Sequence, residues 1–228
     1  MLMQRTQMDE SSIINTYKRY AGNYDKIFGR IFEQGRKTVV EKMACRNGDR
    51  ILEVGIGTGL ALSYYPNFTQ VYGIDISPHM LDVARKNIKR QCQTNICLSL
   101  MDAQRICFPD DYFNKVSAMY VATVVPDPQT MMDEIKRVCK PDGDIFILNH
   151  FSNDHFFPGL FEAMLTPLQK ILGFRPRFSK QRFILENELE VVDSTPVNLF
   201  GYWTLIHAKN SKPETEKTPF PRQANSIS

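Results

Sequence analysis

A glycine-rich turn between a strand and a helix constrains this chain more than any other feature of its sequence. The run 49–54 predicts a strand that ends in the turn 55–59, with the sequence GIGTG. Such glycines let a ligand approach the backbone closely, because no Cβ stands in the way. Asp75 ends the next predicted strand, where a carboxylate can accept the hydroxyl groups of a ribose. Leu60 occupies the position where a dinucleotide fingerprint needs its last glycine, so the turn favours an adenosine ligand over a pyrophosphate.

Short apolar runs alternate with helical patterns along the chain, which predicts an α/β fold around a mostly parallel sheet. The predicted strands lie at 49–54, 71–75, 96–100, 116–121 and 144–148, near 191–192 and at 199–208. The last two are joined through 196–198, which leaves no room for a crossover helix. The last strand is therefore predicted to run antiparallel to its neighbour.

Capping and turn residues set the boundaries of the predicted helices. Ser77 is a good N-cap and is followed by proline, which predicts a helix that begins directly after the second strand. Helical residues are also predicted over 60–65, after the glycine turn. Another helix is predicted over 131–139 and stops before the turn signature 141–143, with the sequence PDG.

Composition divides the chain into three regions. Residues 46–209 carry the strand and helix patterns, residues 1–45 are predicted to form a helical lid, and the polar stretch 210–228 is predicted to be a disordered tail. The formal net charge of +3 is too small to indicate a general nucleic-acid binder. No run approaches the ~20 apolar residues of a membrane span, and the first residues lack the apolar stretch of a secretory signal, which predicts a cytoplasmic protein.

The five cysteines are scattered and form no C-x-x-C pair. They are not accompanied by clustered histidines, so the sequence indicates neither a disulfide framework nor a zinc site, and no metal is expected. We expect buried, reduced thiols at Cys45, Cys92, Cys97, Cys107 and Cys139.

The strand-end motifs together resemble those of the class I S-adenosylmethionine (SAM)-dependent methyltransferases. The matching stretches are 53–59, 73–81 and 101–103, and the resemblance extends over about residues 20–210. It implies a Rossmann-like α/β fold with a seven-stranded, mostly parallel sheet, an antiparallel last strand and helices on both faces. It also implies that residues 46–209 form a SAM-binding methyltransferase domain and that SAM is the cofactor.

The resemblance assigns a part of the cofactor to each motif. The three glycines of the turn would wall the methionine part, and Asp75 would hold the ribose. Ile76 and Met80 would sandwich the adenine, whose exocyclic amine would meet Asp102. The cofactor-binding residues implied in this way are Glu53, Gly55, Gly57, Gly59, Asp75, Ile76, Met80, Asp102, Ala103 and Tyr24.

Shorter stretches resemble the bacterial phosphatidylethanolamine N-methyltransferases of the PmtA type. These stretches are 24–29 with Phe32 and 35–36, then 62–66, 148–151 and 201–206. Residues 119–122 read MYVA rather than the Asp/Asn-Pro-Pro-Tyr/Phe of many enzymes that methylate DNA bases or protein amides. The resemblance implies stepwise N-methylation of phosphatidylethanolamine toward phosphatidylcholine. The alternatives are C-methylation of a quinone precursor or another small amphiphile, and a non-catalytic adaptor of the same fold.

A phospholipid substrate requires contact with a bilayer, and two basic segments could provide it. In the N-terminal region, apolar and aromatic residues recur at helical spacing with Lys18 and Arg19 among them. The stretch 163–185 carries basic residues interleaved with phenylalanines and contains no acidic residue. We therefore expect peripheral association with the inner membrane through an anionic surface. The sequence leaves the oligomeric state open.

Catalysis requires in-line alignment of the acceptor nitrogen, the methyl carbon and the sulfur. The candidates to accept the amine proton or to orient the amine are His150, Tyr20, Tyr24 and Tyr120. A methylated headgroup is cationic, so aromatic faces could bind it, and the aromatics expected near it are Tyr20, Tyr24, Tyr120, Phe151 and Trp203. The candidates to meet the lipid phosphate are Arg177, Lys180 and Arg182.

Overall fold

A computed structural model describes residue 29 and residues 31–151, 178–198 and 201–212. The helices are α1 (Glu33–Lys42), α2 (Pro78–Arg90), α3 (Pro128–Val138) and α4 (Lys180–Glu186). The strands are β1 (Arg50–Val54), β2 (Gln70–Asp75), β3 (Ile96–Leu100), β4 (Phe113–Met119), β5 (Cys139–His150), β6 (Glu190–Val197) and β7 (Trp203–Lys209). The predictions for 1–28, which include those on Lys18, Arg19, Tyr20 and Tyr24, lie outside the described residues, as do those for Arg177 and for 213–228.

The strands form one seven-stranded sheet in the order β3-β2-β1-β4-β5-β7-β6. The first five strands are parallel to one another, and β7 is antiparallel to both β5 and β6. This confirms the predicted α/β class and the antiparallel last strand. The strand order reverses between β1 and β4, and the crevice outside the carboxyl ends of parallel strands at such a switch point is the usual ligand site of this architecture.

Two apolar clusters lie on opposite faces of the sheet and are covered by different helices. The cluster under α3 and α4 includes Met131, Ile135 and Phe183, all buried. The other cluster includes Val39 of α1 and Leu81 of α2. Both faces of a largely parallel sheet must be covered in this way, since its strands are apolar on both sides. The predicted placement of helices on both faces is confirmed.

The start of α2 agrees with the sequence prediction, whereas the bounds of two other predicted elements differ from it. The Ser77 hydroxyl accepts a hydrogen bond from the amide of Met80, and proline occupies the first turn of the helix. The helical residues predicted over 60–65 form only a short 3-10 turn, Leu62–Tyr64, because the chain becomes extended at Tyr65 before Pro66. Strand β4 begins three residues before its predicted start, at Phe113 rather than position 116, and ends two residues before its predicted end.

The turn signature 141–143 lies inside β5 rather than before it. Phe113 pairs with Cys139 and Lys115 pairs with Asp144, so residues 140–143 bulge opposite Asn114. Asp142 adopts a left-handed backbone (φ 57°), and the amide of Asp142 donates to the carbonyl of Asn210. The Pro-Asp-Gly sequence therefore forms an irregularity within the strand, and the predicted strand start at 144 is wrong.

Two further sequence expectations concern exposure. Cys92, Cys97 and Cys107 are exposed and only Cys139 is buried, so the expectation of five buried thiols is wrong, although all five are free. Asn210, which the sequence places at the start of the tail, is buried beside the bulge of β5, and its side-chain amide donates to the carbonyl of Cys139 at 2.8 Å.

Candidate active site

A cavity of about 1090 Å³, counting the space open to solvent at its mouth, lies at the carboxyl ends of β1, β2 and β4. The glycine turn, the start of α2, the segments after β3 and β4, and α1 contribute to its wall. Eight of the predicted cofactor residues line it, namely Glu53, Gly55, Gly57, Asp75, Ile76, Met80, Asp102 and Ala103. The sequence motifs therefore converge on one cavity at the switch point of the sheet.

The glycines of the turn serve different purposes. A Cβ on Gly57 would meet no atom within 4 Å, and its amide, in a left-handed backbone (φ 55°), donates to the Oδ2 atom of Asp75 at 2.8 Å. A Cβ on Gly59 would lie 2.7 Å from Leu62 Cδ1 and 3.2 Å from the Cβ of Ala84 in α2. Gly59 is not among the lining residues, and its lack of a Cβ lets α2 pack closely; that it walls the cofactor stays a prediction.

Asp75 is held by the backbone on both sides. Its Oδ2 accepts from the amide of Gly57 and its Oδ1 accepts from the amide of Ser77, each at 2.8 Å. Burial raises the pKa of Asp75, and the hydrogen bonds from these amides oppose that rise. Each oxygen of a carboxylate has a second acceptor site, so both remain able to accept a ribose hydroxyl.

An apolar slot beside Asp75 suits a flat heterocycle. Ile76 and Met80 contribute to one part of it, and Met101 and Val125 contribute to another. Asp102 lies at its polar edge, where its Oδ1 accepts from the amide of Gln104 at 2.9 Å. A carboxylate fixed in this way can accept a hydrogen bond from an exocyclic amine, as adenine recognition requires.

Two buried groups of opposite charge lie on the cavity wall. Glu53 of β1 is 3% exposed, and burial raises its pKa to about 7, against the hydrogen bond from Tyr65 and the charge of Arg36. Arg36 of α1 is 8% exposed and donates through Nη2 to the carbonyl of Gly29. Within the part of the chain that the structure describes, Glu53 Oε2 and Arg36 Nε have no hydrogen-bond partner. Unpaired buried groups of this kind are rare and fit a zwitterionic ligand, whose ammonium would meet Glu53 and whose carboxylate would meet Arg36.

Tyr120 follows β4 and lines the same cavity. Its hydroxyl accepts from the Asn198 side-chain amide at 2.8 Å and donates to the carbonyl of Phe32 at 3.3 Å. A hydroxyl whose hydrogen bonds are already made within the protein is poorly suited to accept the amine proton. The part of Tyr120 that remains available to a ligand is its ring.

His150 lies at the end of β5 and is not among the lining residues of the cavity. Its ring stacks on Tyr202, with 4.2 Å between the ring centroids, and burial lowers the pKa of His150 to about 4. The imidazole is therefore neutral and weakly basic at neutral pH. These features favour a packing role over the predicted role as general base.

The aromatic residues predicted near a cationic headgroup fall into two groups. Phe32 contacts Tyr120 and Trp203, with ring centroids 4.5 and 4.9 Å apart, so these three side chains form one cluster beside the cavity. Trp203 is 7% exposed and does not line the cavity. Phe151 packs instead on Phe178 on the other face of the sheet, and the structure does not bring it to Trp203.

Of the basic residues in the two segments, Lys180 and Arg182 lie in the described part of the chain, on α4. Arg182 forms an ion pair with Glu186 at 2.6 Å, the first acidic residue after the basic stretch, and the Lys180 ammonium donates to the Ser194 hydroxyl at 3.3 Å. Neither residue lines the cavity. Among the described helices, none is both long enough and apolar enough to cross a membrane.

Fold and site together define a class I methyltransferase: a 3-2-1-4-5-7-6 sheet with a cavity at its switch point whose lining residues suit an adenosine and an amino acid. Residues 52–147 match a family model described as a methyltransferase domain. A phosphatidylethanolamine N-methyltransferase from Cereibacter sphaeroides is 36% identical over 200 residues, which cover 87% of this chain and 98% of that protein. The chain belongs to the SAM-dependent methyltransferases, and SAM is its cofactor.

Other relatives match a smaller part of the chain. A demethylmenaquinone methyltransferase from Geobacillus kaustophilus is 31% identical over 146 residues, which cover 60% of this chain and 62% of that protein. The crystal structure of a SAM-dependent methyltransferase from Aquifex aeolicus superposes with a TM-score of 0.63 at 17% identity, over 86% of this chain and 97% of that one. The structural likeness supports the fold alone.

Neither Arg36 nor Gln104, which both line the cavity, was predicted as a cofactor residue. Arg36 lies in α1, far along the chain from every cofactor motif, and only the folded topology brings it opposite Glu53. Gln104 lies next to the Asp102-Ala103 motif, and its Oε1 accepts from the amide of Asp127, so it connects Asp102 to the start of α3. The available signal for Gln104 was its position beside the motif, and the available signal for Arg36 was its place in the stretch 35–36, which resembles the phosphatidylethanolamine N-methyltransferases.

Proposed function

We propose that this protein transfers methyl groups from SAM to the amine of phosphatidylethanolamine, stepwise toward phosphatidylcholine, at a membrane surface. The observation that carries the proposal is the extent of the match to the Cereibacter protein. It covers 98% of that protein, whereas the family model covers only residues 52–147. The similarity therefore includes segments outside the shared cofactor core, where acceptor specificity is expected to reside.

The chain's own residues supply binding and orientation. SAM is itself a reactive methyl donor, and the role of the protein is to align the acceptor with it, which is worth roughly 7–11 kcal/mol. Asp75 would hold the ribose, Asp102 the adenine amine, and Glu53 with Arg36 the amino-acid end. The buried wall around these groups excludes water and strengthens each polar contact.

The acceptor amine must lose a proton before it attacks, and it becomes more cation-like with each methylation. Among the described residues that line the cavity, Tyr120 is the one aromatic, and an aromatic face binds such cations with ~0.5–2 kcal/mol. In this mechanism water takes the amine proton before the lipid is fully seated.

The second candidate is methylation of a quinone precursor at carbon. It is favoured by the 31% identity to a protein named as a demethylmenaquinone methyltransferase, over 62% of that protein's length. A carbon acceptor forms no cationic product, so this reaction would gain nothing from an aromatic face.

The test is transfer of label from methyl-labelled SAM to lipid. Purified protein is incubated with vesicles of phosphatidylethanolamine mixed with an anionic phospholipid, and the extracted lipids are separated by chromatography. We expect label in mono-, di- or trimethylated phosphatidylethanolamine, none with vesicles that lack phosphatidylethanolamine, and much less with the Asp75→Ala variant at a SAM concentration near the wild-type Kd. Binding of SAM by the wild-type protein without any labelled lipid would contradict the proposed acceptor and leave the cofactor site intact.

A further inference from the structure

Asn198 occupies the turn between β6 and β7, 3% exposed and in a left-handed backbone (φ 52°). Its side chain uses both of its polar atoms. The Oδ1 atom accepts from the amide of Gly35 in α1 at 2.8 Å, and the Nδ2 atom donates to the Tyr120 hydroxyl at 2.8 Å. One side chain thus joins the last hairpin of the sheet to α1 and to the end of β4.

The contact between Asn198 and α1 is too close for a side chain on the helix. A Cβ at Gly35 would lie 2.6 Å from Tyr120 Oη, 2.7 Å from Asn198 Nδ2 and 2.9 Å from Leu148 Cδ2. The next residue of the helix is Arg36, which lines the cavity. The depth at which α1 docks on Asn198 therefore sets the position of the Arg36 guanidinium.

We propose that Asn198 is a positioning residue for the active site, which fixes Arg36 through Gly35 and fixes Tyr120 through its hydroxyl. Asn198 does not line the cavity itself. This inference concerns the SAM cavity and is independent of which acceptor is methylated. An experiment on SAM binding alone therefore separates its failure from failure of the proposed acceptor.

Asparagine suits this position for two reasons. It tolerates a left-handed backbone better than other residues that bear a Cβ. Its amide also carries a donor and an acceptor on one rigid group, as the Gly35 amide and the Tyr120 oxygen require. Asn198→Gly keeps the backbone conformation and removes both hydrogen bonds, whereas Asn198→Asp keeps the acceptor for Gly35 and loses the donor to Tyr120.

The matched control is Asn210, another buried asparagine. It lies at the far end of β7, beside the bulge at the start of β5, and its side-chain amide donates to the carbonyls of Cys139, Lys136 and Lys140. Asn210→Gly should destabilise the protein by a similar mechanism without touching the cavity.

The experiment measures the Kd for SAM by titration calorimetry, well below the unfolding temperature of each protein. We expect Asn198→Gly to raise the Kd about tenfold, because a misplaced Arg36 guanidinium would weaken its charge-assisted hydrogen bond to the cofactor, with Asn198→Asp between it and the wild type. Asn210→Gly should lower the Tm and leave the Kd unchanged. Equal values of the Kd in the wild type, Asn198→Gly and Asn198→Asp would overturn the proposal, as would an equal rise in Asn210→Gly. If Asn198→Gly does not fold, the comparison of Asn198→Asp with the wild type decides it in the same way.

Discussion

The two sides of the active site are built differently. On the cofactor side, Asp75 is fixed by the amide of Ser77, two residues later in the chain, and by the amide of Gly57, 18 residues earlier. On the acceptor side, Tyr120 is fixed by Phe32 and Asn198, which are far from it along the chain. The cofactor side thus follows from sequence motifs common to a large family, whereas the acceptor side depends on how the first helix and the last hairpin meet.

The largest expected effect comes from a substitution on the cofactor side of the active site. Asp75→Ala removes the ribose acceptor and releases the amides of Gly57 and Ser77, so we expect SAM binding to weaken by about 1–3 kcal/mol. Titration calorimetry measures the Kd directly. An unchanged Kd would remove Asp75 from the site, and Asp82→Ala, on the exposed face of α2, provides the control for loss of a carboxylate nearby.

The next largest effect is expected from a substitution on the acceptor side of the active site. Alanine is a better helix former than glycine, so Gly35→Ala would stabilise α1 if space allowed. Because the added Cβ would lie 2.6 Å from Tyr120 Oη, we expect a loss of about 1–3 kcal/mol in the free energy of unfolding, together with weaker SAM binding. Chemical denaturation measures the first quantity. Gly48→Ala is the control, since a Cβ there meets nothing within 4 Å, although its φ of 80° adds backbone strain.

The pH dependence of folding stability and of SAM binding tests the role of Glu53. Its pKa is raised to about 7 by burial, so its contribution to folding stability is present below its ordinary pKa of 4.5 and is lost as the pH rises through about 7. SAM binding should have the opposite sign, because only the ionised carboxylate attracts an ammonium group. We expect SAM affinity to fall about tenfold for each pH unit below 7 in the wild type.

Glu53→Gln should abolish that pH dependence of SAM binding and stabilise the ligand-free protein at pH 8. Asp144, at the amino end of the sheet, is a control whose contribution to folding stability changes with pH in the opposite direction. Hydrogen bonds from Lys209, His207 and Lys115 outweigh its burial and lower the pKa of Asp144 to about 2. Its contribution to stability is therefore present above its ordinary pKa of 3.8 and is lost as the pH falls through about 2. A parallel pH dependence of SAM binding in wild type and Glu53→Gln would refute the role of Glu53.

The smallest expected effect concerns the surface. Arg182 is exposed and already paired with Glu186, so Arg182→Ala should change binding to anionic vesicles less than about twofold. Vesicle sedimentation measures this change. Glu186→Ala frees the arginine and is expected to strengthen vesicle binding slightly, whereas a large loss of binding with Arg182→Ala would place α4 at the membrane surface.

The cofactor side of the site could be predicted because the sequence motifs that form it are short. The glycine turn, the acid at the end of β2 and the N-cap Ser77 can each be recognised from a few consecutive residues of the sequence. Arg36 and Asn198 could not be predicted in this way, because their roles arise from contacts across the fold. The turn signature 141–143 was misplaced for a related reason. It forms a bulge within β5, and this bulge is held by a hydrogen bond to Asn210, which lies far along the chain.

The most direct test of the proposed function offers the enzyme both acceptors at once. Wild-type protein and methyl-labelled SAM are incubated with mixed vesicles that contain phosphatidylethanolamine, an anionic phospholipid and a demethylated menaquinone precursor, and the labelled products are separated. The proposed function predicts label in N-methylated phosphatidylethanolamine and none above background in the quinone. Label confined to the quinone, in protein that binds SAM, would contradict it.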